Sequence, residues 1–264
     1  MAYPLTILFD LETTSKKPSE ARVWQIAAKV DDRWLKLHGH AAVEAKQNSR
    51  HFTLTSITTD YNSNVFETTC KPECEMPADA TAVHHTSDHD LLWKFGTERA
   101  LRDFWKWCET TAARFNTHSV LLVGHNAISY DRIVMWNEMK QYGVEMPNTL
   151  QVKFSDTMIA YRRCFYMKPG ESVSLSEIAR RRGVMAKHEE QKHEALADVM
   201  LVQGILDKAP EVDVVYEALI HIAVDPPMEK KPNQFIMKKK EEAPKSSNSD
   251  WKQNSAMFGK IVQL

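Results

Sequence analysis

The sequence predicts an α/β protein in which helices cover both faces of a central sheet. Short apolar runs of strand length alternate along the chain with amphipathic stretches of helix length. The chain has 264 residues, of which 43% are hydrophobic and 26% charged, values typical of a soluble globular protein with one large or two small domains. Its longest apolar runs are far too short to cross a bilayer, so we expect no membrane partner.

The strands are predicted from five apolar runs, at residues 5–9, 23–30, 65–71, 120–123 and 150–154. The third run stops at Pro72, because proline cannot donate a hydrogen bond to a neighbouring strand. Residues 31–64 are polar, and only residues 52–57 among them have the pattern of a further strand. We therefore expect an insertion of undefined structure at residues 31–64.

The helices are predicted from apolar residues at three- and four-residue spacing. Gly143 and Gly183 are expected to end two of them, because glycine readily adopts the left-handed conformation that closes a helix. Ser174 and Asn126 have side chains suited to helix N-caps. The predicted helices cover residues 97–109, 131–142, 156–165, 175–182, 194–208 and 212–224.

Charge and composition change towards the end of the sequence. Residues 226–264 contain eight Lys and four acids, a net charge of +4, which leaves −5 for residues 1–225. Because this segment is poor in apolar residues, we expect a basic flexible tail. Its more apolar end is expected to be disordered, and docking on the body of the protein or on a protein partner are the alternatives. Before it we expect a main domain over residues 1–208 and a C-terminal helix over residues 209–225.

The cysteine count and the first ten residues indicate the cellular compartment in which the protein is expected. Four cysteines in a chain of this length do not make a disulfide framework. The first ten residues lack the basic start and the cleavage site of a signal peptide. Both observations favour a reducing, intracellular location.

Asp10 and Glu12 follow the first apolar run, at the end of the first predicted strand. Side chains alternate along a strand, so residues i and i+2 point to the same side. Two carboxylates this close repel each other unless they are exposed or share a cation. Taken alone, the pair is equally consistent with an exposed acidic strand end and with a cation site.

Two further acids are predicted near the same edge of the sheet. Asp131 lies early in the helix after the fourth strand, where Asn126 is the expected N-cap. Taken alone, Asp131 is explained as a charge that complements the helix dipole. Asp198 lies in the last helix of the main domain, and His193 precedes it by five residues. Because five helical positions span about 140° of rotation, we expect His193 on the preceding loop or in the first helical turn.

Three segments together carry a family resemblance: DLET at residues 10–13, HNAISYD at residues 125–131 and HEALAD at residues 193–198. In this order, and in strand, helix and helix contexts, they resemble the DEDDh family of DnaQ-like 3′-to-5′ exonucleases. The related DEDDy group has a tyrosine four residues before the last acid instead of a histidine five residues before it. The resemblance covers residues 5–208 and implies a ribonuclease H-like fold, with a five-stranded mixed sheet flanked by helices on both faces.

The resemblance implies a metal-dependent reaction. Four carboxylates in one cavity require hard divalent cations, so two Mg²⁺ ions are expected, with Mn²⁺ as a substitute. Two such ions stabilise an in-line displacement at phosphorus. His193 is the expected general base, so activity should fall as the pH drops through its pKa, near 6.5 if unperturbed. The expected metal ligands are Asp10, Glu12, Asp131 and Asp198.

The implied substrate is a nucleic acid with a free 3′ end, from which nucleoside 5′-monophosphates are released one at a time. Leu11, Thr13, Asn126 and His85 are the expected contacts to the terminal nucleotide, although Asn126 has the alternative of capping its helix only. His85 belongs to residues 83–86, VHHT, which stand where the family commonly has Val-His-Gly-Ile.

The sequence leaves three alternatives for the substrate and the activity. We favour DNA, single-stranded or with frayed or mismatched ends. An exoribonuclease is the second alternative, because no residue type in a sequence shows whether a site accepts or excludes a 2′-hydroxyl group. A catalytically idle nucleic-acid-binding module is the third alternative, and the complete set of four acids and one histidine counts against it.

Overall fold

The computed structural model describes residues 3–38, 60–164, 171–184, 194–208 and 212–227, and a single five-stranded sheet organises them. The strands are β1 (Leu5–Thr13), β2 (Val23–Val30), β3 (Val65–Thr69), β4 (Ser119–Gly124) and β5 (Gln151–Asp156). Their order is β3-β2-β1-β4-β5. The pairs β1–β2 and β2–β3 are antiparallel, whereas β1–β4 and β4–β5 are parallel. The predicted α/β class with a mixed sheet is confirmed.

The helices of the described residues are α1 (Asp32–His38), α2 (Ala78–His84), α3 (Asp88–Leu91), α4 (Thr97–Arg114), α5 (Asp131–Tyr142), α6 (Thr157–Cys164), α7 (Leu175–Arg181), α8 (Ala195–Asp207) and α9 (Val212–His221). Gly143 closes α5 with a left-handed φ of 60°, and Ser174 Oγ accepts the Glu177 N–H of α7 at 3.4 Å. Both features follow the sequence prediction. None of the helices in the described parts is long and apolar enough to cross a membrane.

Three short helices, α1 to α3, were not predicted. The segment predicted as an undefined insertion begins with α1, whose buried side includes both Arg33 and Trp34. Because such helices have few apolar positions, they carry little periodic signal. The possible strand at residues 52–57, His193 and the tail from residue 228 onward lie outside the described residues.

The core is divided between the two faces of the sheet. Leu5, Ile7 and Phe9 of β1 pack in one cluster with residues of α4 and α5, among them the fully buried Phe104 and Trp107. Leu8, on the opposite face of β1, packs with α8. The alternation of side chains along β1 therefore fixes which residues meet α8.

The register leaves the end of β1 extending beyond β4. β1 pairs with β2 from Ile7–Val30 to Thr13–Val23, with an irregularity between Glu12 and Thr13. Its parallel ladder with β4 covers only Leu5–Leu8 against Val120–Val123. The last five residues of β1 therefore form an edge where loops and helix ends can approach.

The buried amide of Gln203 connects α8 with α1 and with the end of β2. Its Oε1 accepts hydrogen bonds from Asp32 N at 3.0 Å and Lys29 Nζ at 3.3 Å. Its Nε2 donates to Asp31 Oδ1 at 2.9 Å. Gln203, Lys29 and Asp31 are all buried, so each polar group depends on these bonds.

We predict that Gln203→Leu lowers the free energy of unfolding by about 2–3 kcal/mol, because buried polar groups of Lys29 and Asp31 lose a partner. Urea unfolding followed by circular dichroism measures the change. Gln151→Leu, at the exposed start of β5, is the matched control and should stay within about 0.5 kcal/mol of the parent. Equal losses in the two variants would contradict the role given to the buried amide.

Candidate active site

Asp10 and Glu12 lie on the part of β1 that extends beyond β4. Two-residue alternation places both carboxylates on the same face as Leu8, the face that α8 covers. Asp10 is partly exposed, whereas Glu12 is buried. The pairing of the two acids expected from the sequence is therefore present in the structure.

Asp198 is brought to the same place by the first turn of α8. One carboxylate oxygen each from Asp10, Glu12 and Asp198 lies within 4.8 Å of the others. Of the four expected metal ligands, these three meet at one point. The site thus joins two acids from the end of a strand with one from the start of a helix.

The start of α8 is held by a side chain from the sheet. The first N–H groups of a helix have no partner within the helix, and the N-cap residue Glu194 forms no side-chain capping bond. Gln25 of β2 supplies an acceptor instead, because its Oε1 receives the Ala195 N–H at 3.1 Å. Its Nε2 donates to Glu67 Oε1 at 3.1 Å. Gln25 therefore helps to fix the turn that carries Asp198.

Asp131, the fourth expected ligand, is the first residue of α5 and is buried. Its carboxylate receives backbone N–H groups from Asp131 itself and from Leu11 at the open edge of β1, and both lower its pKa. Burial has the larger, opposite effect, and the charges of Asp156 and Glu12 add to it, so that the pKa of Asp131 rises to about 7. Asp131 also raises the pKa of Asp10. The four acids thus form one electrostatic unit.

The loop before Asp131 is organised by Asp156 at the end of β5. Asp156 Oδ1 accepts the N–H groups of Asn126 at 3.0 Å and Met158 at 2.9 Å, and Oδ2 accepts that of Ile128 at 3.2 Å. One carboxylate thereby joins the loop before α5 to the start of α6. Because α5 begins at the end of this loop, Asp156 positions Asp131.

Asn126 does not cap α5, which corrects the sequence expectation. The N-cap of α5 is Tyr130, four residues later, and Asn126 has a left-handed φ of 65°. Asparagine tolerates this conformation better than most residues. The carbonyl of Asn126 accepts the Tyr130 N–H at 3.1 Å, so the residue forms a turn before the helix.

Gly124 permits the close packing of this loop against β1. A Cβ atom at this position would lie 2.9 Å from the Phe9 carbonyl oxygen and 2.8 Å from Ala127 Cβ. The first of these is a backbone atom next to Asp10, so it cannot move aside without displacing the strand. A side chain at position 124 would therefore disturb the acids directly.

Burial and like charges raise the pKa values of the clustered acids. For Asp10, burial is the main cause of the raised pKa, followed by the charges of Asp131, Glu12 and Asp198. Burial also raises the pKa of Glu12, partly offset by a hydrogen bond and charge attraction from His84. His84 Nδ1 lies 3.0 Å from Glu12 Oε2.

These properties fit a divalent-cation site. The donors are carboxylate oxygens, which are the preferred ligands of hard divalent cations. Their raised pKa values mean that the fold disfavours the ionised carboxylates, which are the form that binds a metal ion. A bound cation would offset this cost. The clustered oxygens of Asp10, Glu12 and Asp198 are therefore the best-placed ligands among the described residues.

The expected nucleotide contacts differ in their exposure. Leu11 is only 5% exposed and packs in the core, while Thr13 is buried and shares a hydrogen bond with the Tyr130 hydroxyl. His85 is exposed and adopts a left-handed φ of 54° as the C-cap of α2. His193 lies outside the described residues, directly before the segment that starts at Glu194.

Three functional positions were missed or left without a role in the sequence analysis. His84 contacts Glu12, whereas the residue expected from the sequence to contact the substrate is its neighbour His85. Gln25 and Asp156 position Asp198 and Asp131. Asp156 is the last residue of β5, and its contacts reach a loop 30 residues away in the sequence. No spacing rule identifies such partners.

A family model described as Exonuclease, RNase T, matches residues 7–206 of the chain. The search of curated protein sequences found no match to this chain. The match spans all four acids and the strands and helices that carry them.

Solved structures of exonucleases share the fold. A structure of exonuclease I is 15% identical, with a TM-score of 0.55, and the match covers 83% of this chain and 43% of that one. The zinc-bound complex of E. coli exonuclease I with single-stranded DNA is 16% identical, with a TM-score of 0.53, and the match covers 80% of this chain and 42% of that one. Exonuclease X in complex with 5′-overhanging duplex DNA is 17% identical, with a TM-score of 0.50, covering 83% and 99%. The chain thus spans less than half the length of the exonuclease I structures.

We predict that Asp156→Asn lowers kcat about tenfold while changing KM little. The amide keeps the shape of the side chain but replaces one acceptor oxygen by a donor, so at least one loop N–H loses its bond. Steady-state kinetics measures the two constants. Glu145→Gln, which makes the same change from acid to amide at an exposed residue after α5, is the control. Wild-type kinetics in Asp156→Asn would contradict the positioning role.

We also predict that a divalent cation stabilises the protein most at neutral and alkaline pH. The pKa of Asp131 in the fold, about 7, exceeds its ordinary value of 3.8, so its stabilising contribution is complete below the ordinary value and is lost as the pH rises through about 7. In EDTA the Tm should therefore fall as the pH rises from about 4 to about 7, and added Mg²⁺ or Mn²⁺ should restore it at neutral and alkaline pH.

Thermal unfolding at several pH values measures this dependence. Asp131→Asn should flatten the slope seen in EDTA, because the amide does not titrate. A Tm unchanged by both cations, or the same slope in Asp131→Asn, would contradict the assignment.

Proposed function

The chain belongs to the RNase T family of exonucleases, a DEDD-type family of 3′-to-5′ enzymes with a ribonuclease H-like fold, and on this basis we propose that it trims DNA from the 3′ end. The proposed substrate ends are single-stranded, frayed or mismatched, and the products are nucleoside 5′-monophosphates. The observation that carries the proposal is the meeting of Asp10, Glu12 and Asp198 within 4.8 Å, with buried Asp131 coupled to them.

The four acids are the proposed ligands of two Mg²⁺ ions, for which Mn²⁺ can substitute. When bound, such ions stabilise the charge that develops on the phosphate oxygens and make water more acidic. Asp10, Glu12 and Asp198 offer the oxygens for one ion, and Asp131 extends the set beside Asp10. The surrounding residues keep these oxygens in place through Gln25, Asp156 and the close packing at Gly124.

His193 is the proposed general base. A neutral imidazole can accept the proton of the attacking water, and a histidine with an ordinary pKa is neutral above about pH 6.5. In the sequence, His193 directly precedes Glu194, the N-cap of α8, and Asp198 lies in the first turn of that helix. His84, which already contacts Glu12, has the different proposed role of orienting that ligand.

DNA is the proposed substrate because the similar solved structures include complexes of exonuclease I with single-stranded DNA and of exonuclease X with duplex DNA. RNA is the alternative outcome of the same assay. An intracellular location and a protein partner for the basic tail, residues 226–264, stay predictions from composition.

The experiment uses 5′-labelled single-stranded DNA, duplex DNA and RNA of equal sequence, with Mg²⁺ or with EDTA. We expect a ladder that shortens from the 3′ end, requires the cation and is fastest on DNA. A phosphorothioate linkage at the 3′ end should block the ladder, whereas one at the 5′ end should not. His193→Ala and Asp10→Asn should each reduce the rate at least a hundredfold.

His221→Ala, at the exposed end of α9, is the matched control and should keep the full rate. Binding of all three nucleic acids without any ladder would replace the proposal by a binding module. A ladder on RNA alone would reassign the substrate. Full activity of His193→Ala would remove the histidine from the mechanism.

A further inference from the structure

The segment between α3 and α4 exposes large apolar side chains side by side. Trp93 is 95% exposed, Phe95 56% and Leu92 47%. Single exposed apolar residues are common, but a group of neighbours that includes a nearly fully exposed tryptophan marks an interaction site. We call residues 92–95 the aromatic segment.

The aromatic segment is held firmly at both ends. Leu91, directly before it, is buried, and its carbonyl accepts the Lys94 N–H at 3.1 Å. The Phe95 carbonyl accepts the Lys71 N–H at 2.8 Å, and Lys71 forms a bridge with Gly96. The exposed rings are therefore presented by a backbone that is already fixed, which reduces the entropy cost of binding.

Positive charges surround the exposed rings. Lys71 is exposed beside Phe95, and neither it nor Lys94 forms an ion pair within the described parts of the chain. The Arg99 guanidinium lies 5.7 Å from the centre of the Phe95 ring. The nearest acids along α4 already have cationic partners, since Asp103 pairs with Arg99 and Glu98 with Arg102. In α3, Asp88 accepts the Met76 N–H and Asp90 accepts the Ser87 N–H. Lys71 and Lys94 are therefore the cations next to the rings that can attract the phosphates of a ligand.

A short series of contacts joins the aromatic segment to the acids. Leu91 packs in one cluster with Trp24 of β2. The Trp24 ring lies 5.5 Å from that of His84, which in turn contacts Glu12. The segment is thus linked to the candidate active site through the contacts of only three side chains, those of Leu91, Trp24 and His84.

We propose that the aromatic segment binds a single-stranded stretch of the nucleic acid whose 3′ end occupies the active site, an inference that rests on the proposed function. Bases stack on Trp93 and Phe95, while Lys71, Lys94 and Arg99 attract the phosphates. Every base has an aromatic face, so this mode of binding is independent of sequence. It holds a long strand near the site between successive cleavage steps.

The test measures the Kd of 5′-fluorescein-labelled dT20 by fluorescence anisotropy, in EDTA to prevent hydrolysis, on the full chain. We expect Trp93→Ala to raise the Kd about tenfold, as for the loss of one stacked base. Trp93→Phe, which keeps an aromatic face, should stay within about threefold of the parent. Leu37→Ala, at another exposed apolar residue in α1, is the matched control and should bind like the parent.

A second variant, Lys94→Glu, tests the contribution of positive charge independently of the aromatic rings. Lys94→Glu should raise the Kd at low salt and reduce the dependence of binding on salt concentration, because a phosphate contact is lost. Trp93 is exposed and Lys94 is half-buried, so circular dichroism checks that both variants keep the fold.

The outcomes separate this inference from the proposed function. Hydrolysis of dT20 by the parent protein in Mg²⁺ tests the function alone. If the parent hydrolyses dT20 but Trp93→Ala binds it as tightly as Leu37→Ala does, the inference is overturned. If the parent forms an oligomer that Trp93→Ala dissociates with no change in Kd for dT20, the segment is a protein interface and the inference is again overturned. Tenfold weaker binding by Trp93→Ala supports the binding role of the segment, and if the parent hydrolyses nothing, only the proposed function is overturned.

Discussion

The free-energy cost of gathering several carboxylates at a partly buried site is the constraint on which the rest of this structure depends. Asp10, Glu12 and Asp198 meet within 4.8 Å, and burial together with neighbouring charges raises the pKa of Asp10 and Glu12. Left to themselves, such groups would separate or stay protonated. The fold therefore needs rigid backbone on each side of the cluster, and a cation is what makes the ionised form acceptable.

That rigidity comes from ordinary hydrogen bonds in particular places. Gln25 anchors the first turn of α8, and Asp156 gathers backbone N–H groups from the loop before α5. Gly124 lets this loop pass against the backbone of β1. These residues hold the acids from outside the cluster, so their replacement should affect the rate of reaction before it affects binding of the substrate.

Much of the fold was predictable because the main elements bury broad apolar surfaces. The strand at residues 23–30 and the helix at residues 131–142 have the predicted limits. Helices α1 to α3 were missed because they are short and rely on contacts with distant parts of the chain. Asn126 was misread for a related reason: its turn is stabilised by the Asp156 carboxylate, and only the folded chain brings that group into reach.

The sequence by itself determined the alternation of strands and helices, the shared face of Asp10 and Glu12, and the order of the acidic segments. These properties follow from local periodicity, which needs no knowledge of distant contacts. Only the tertiary structure decided that His84 contacts Glu12, that Gln25 anchors α8, and that Trp93 is almost fully exposed. Such features depend on the distances between elements far apart in the chain, and those distances are set by how the helices pack on the two faces of the sheet.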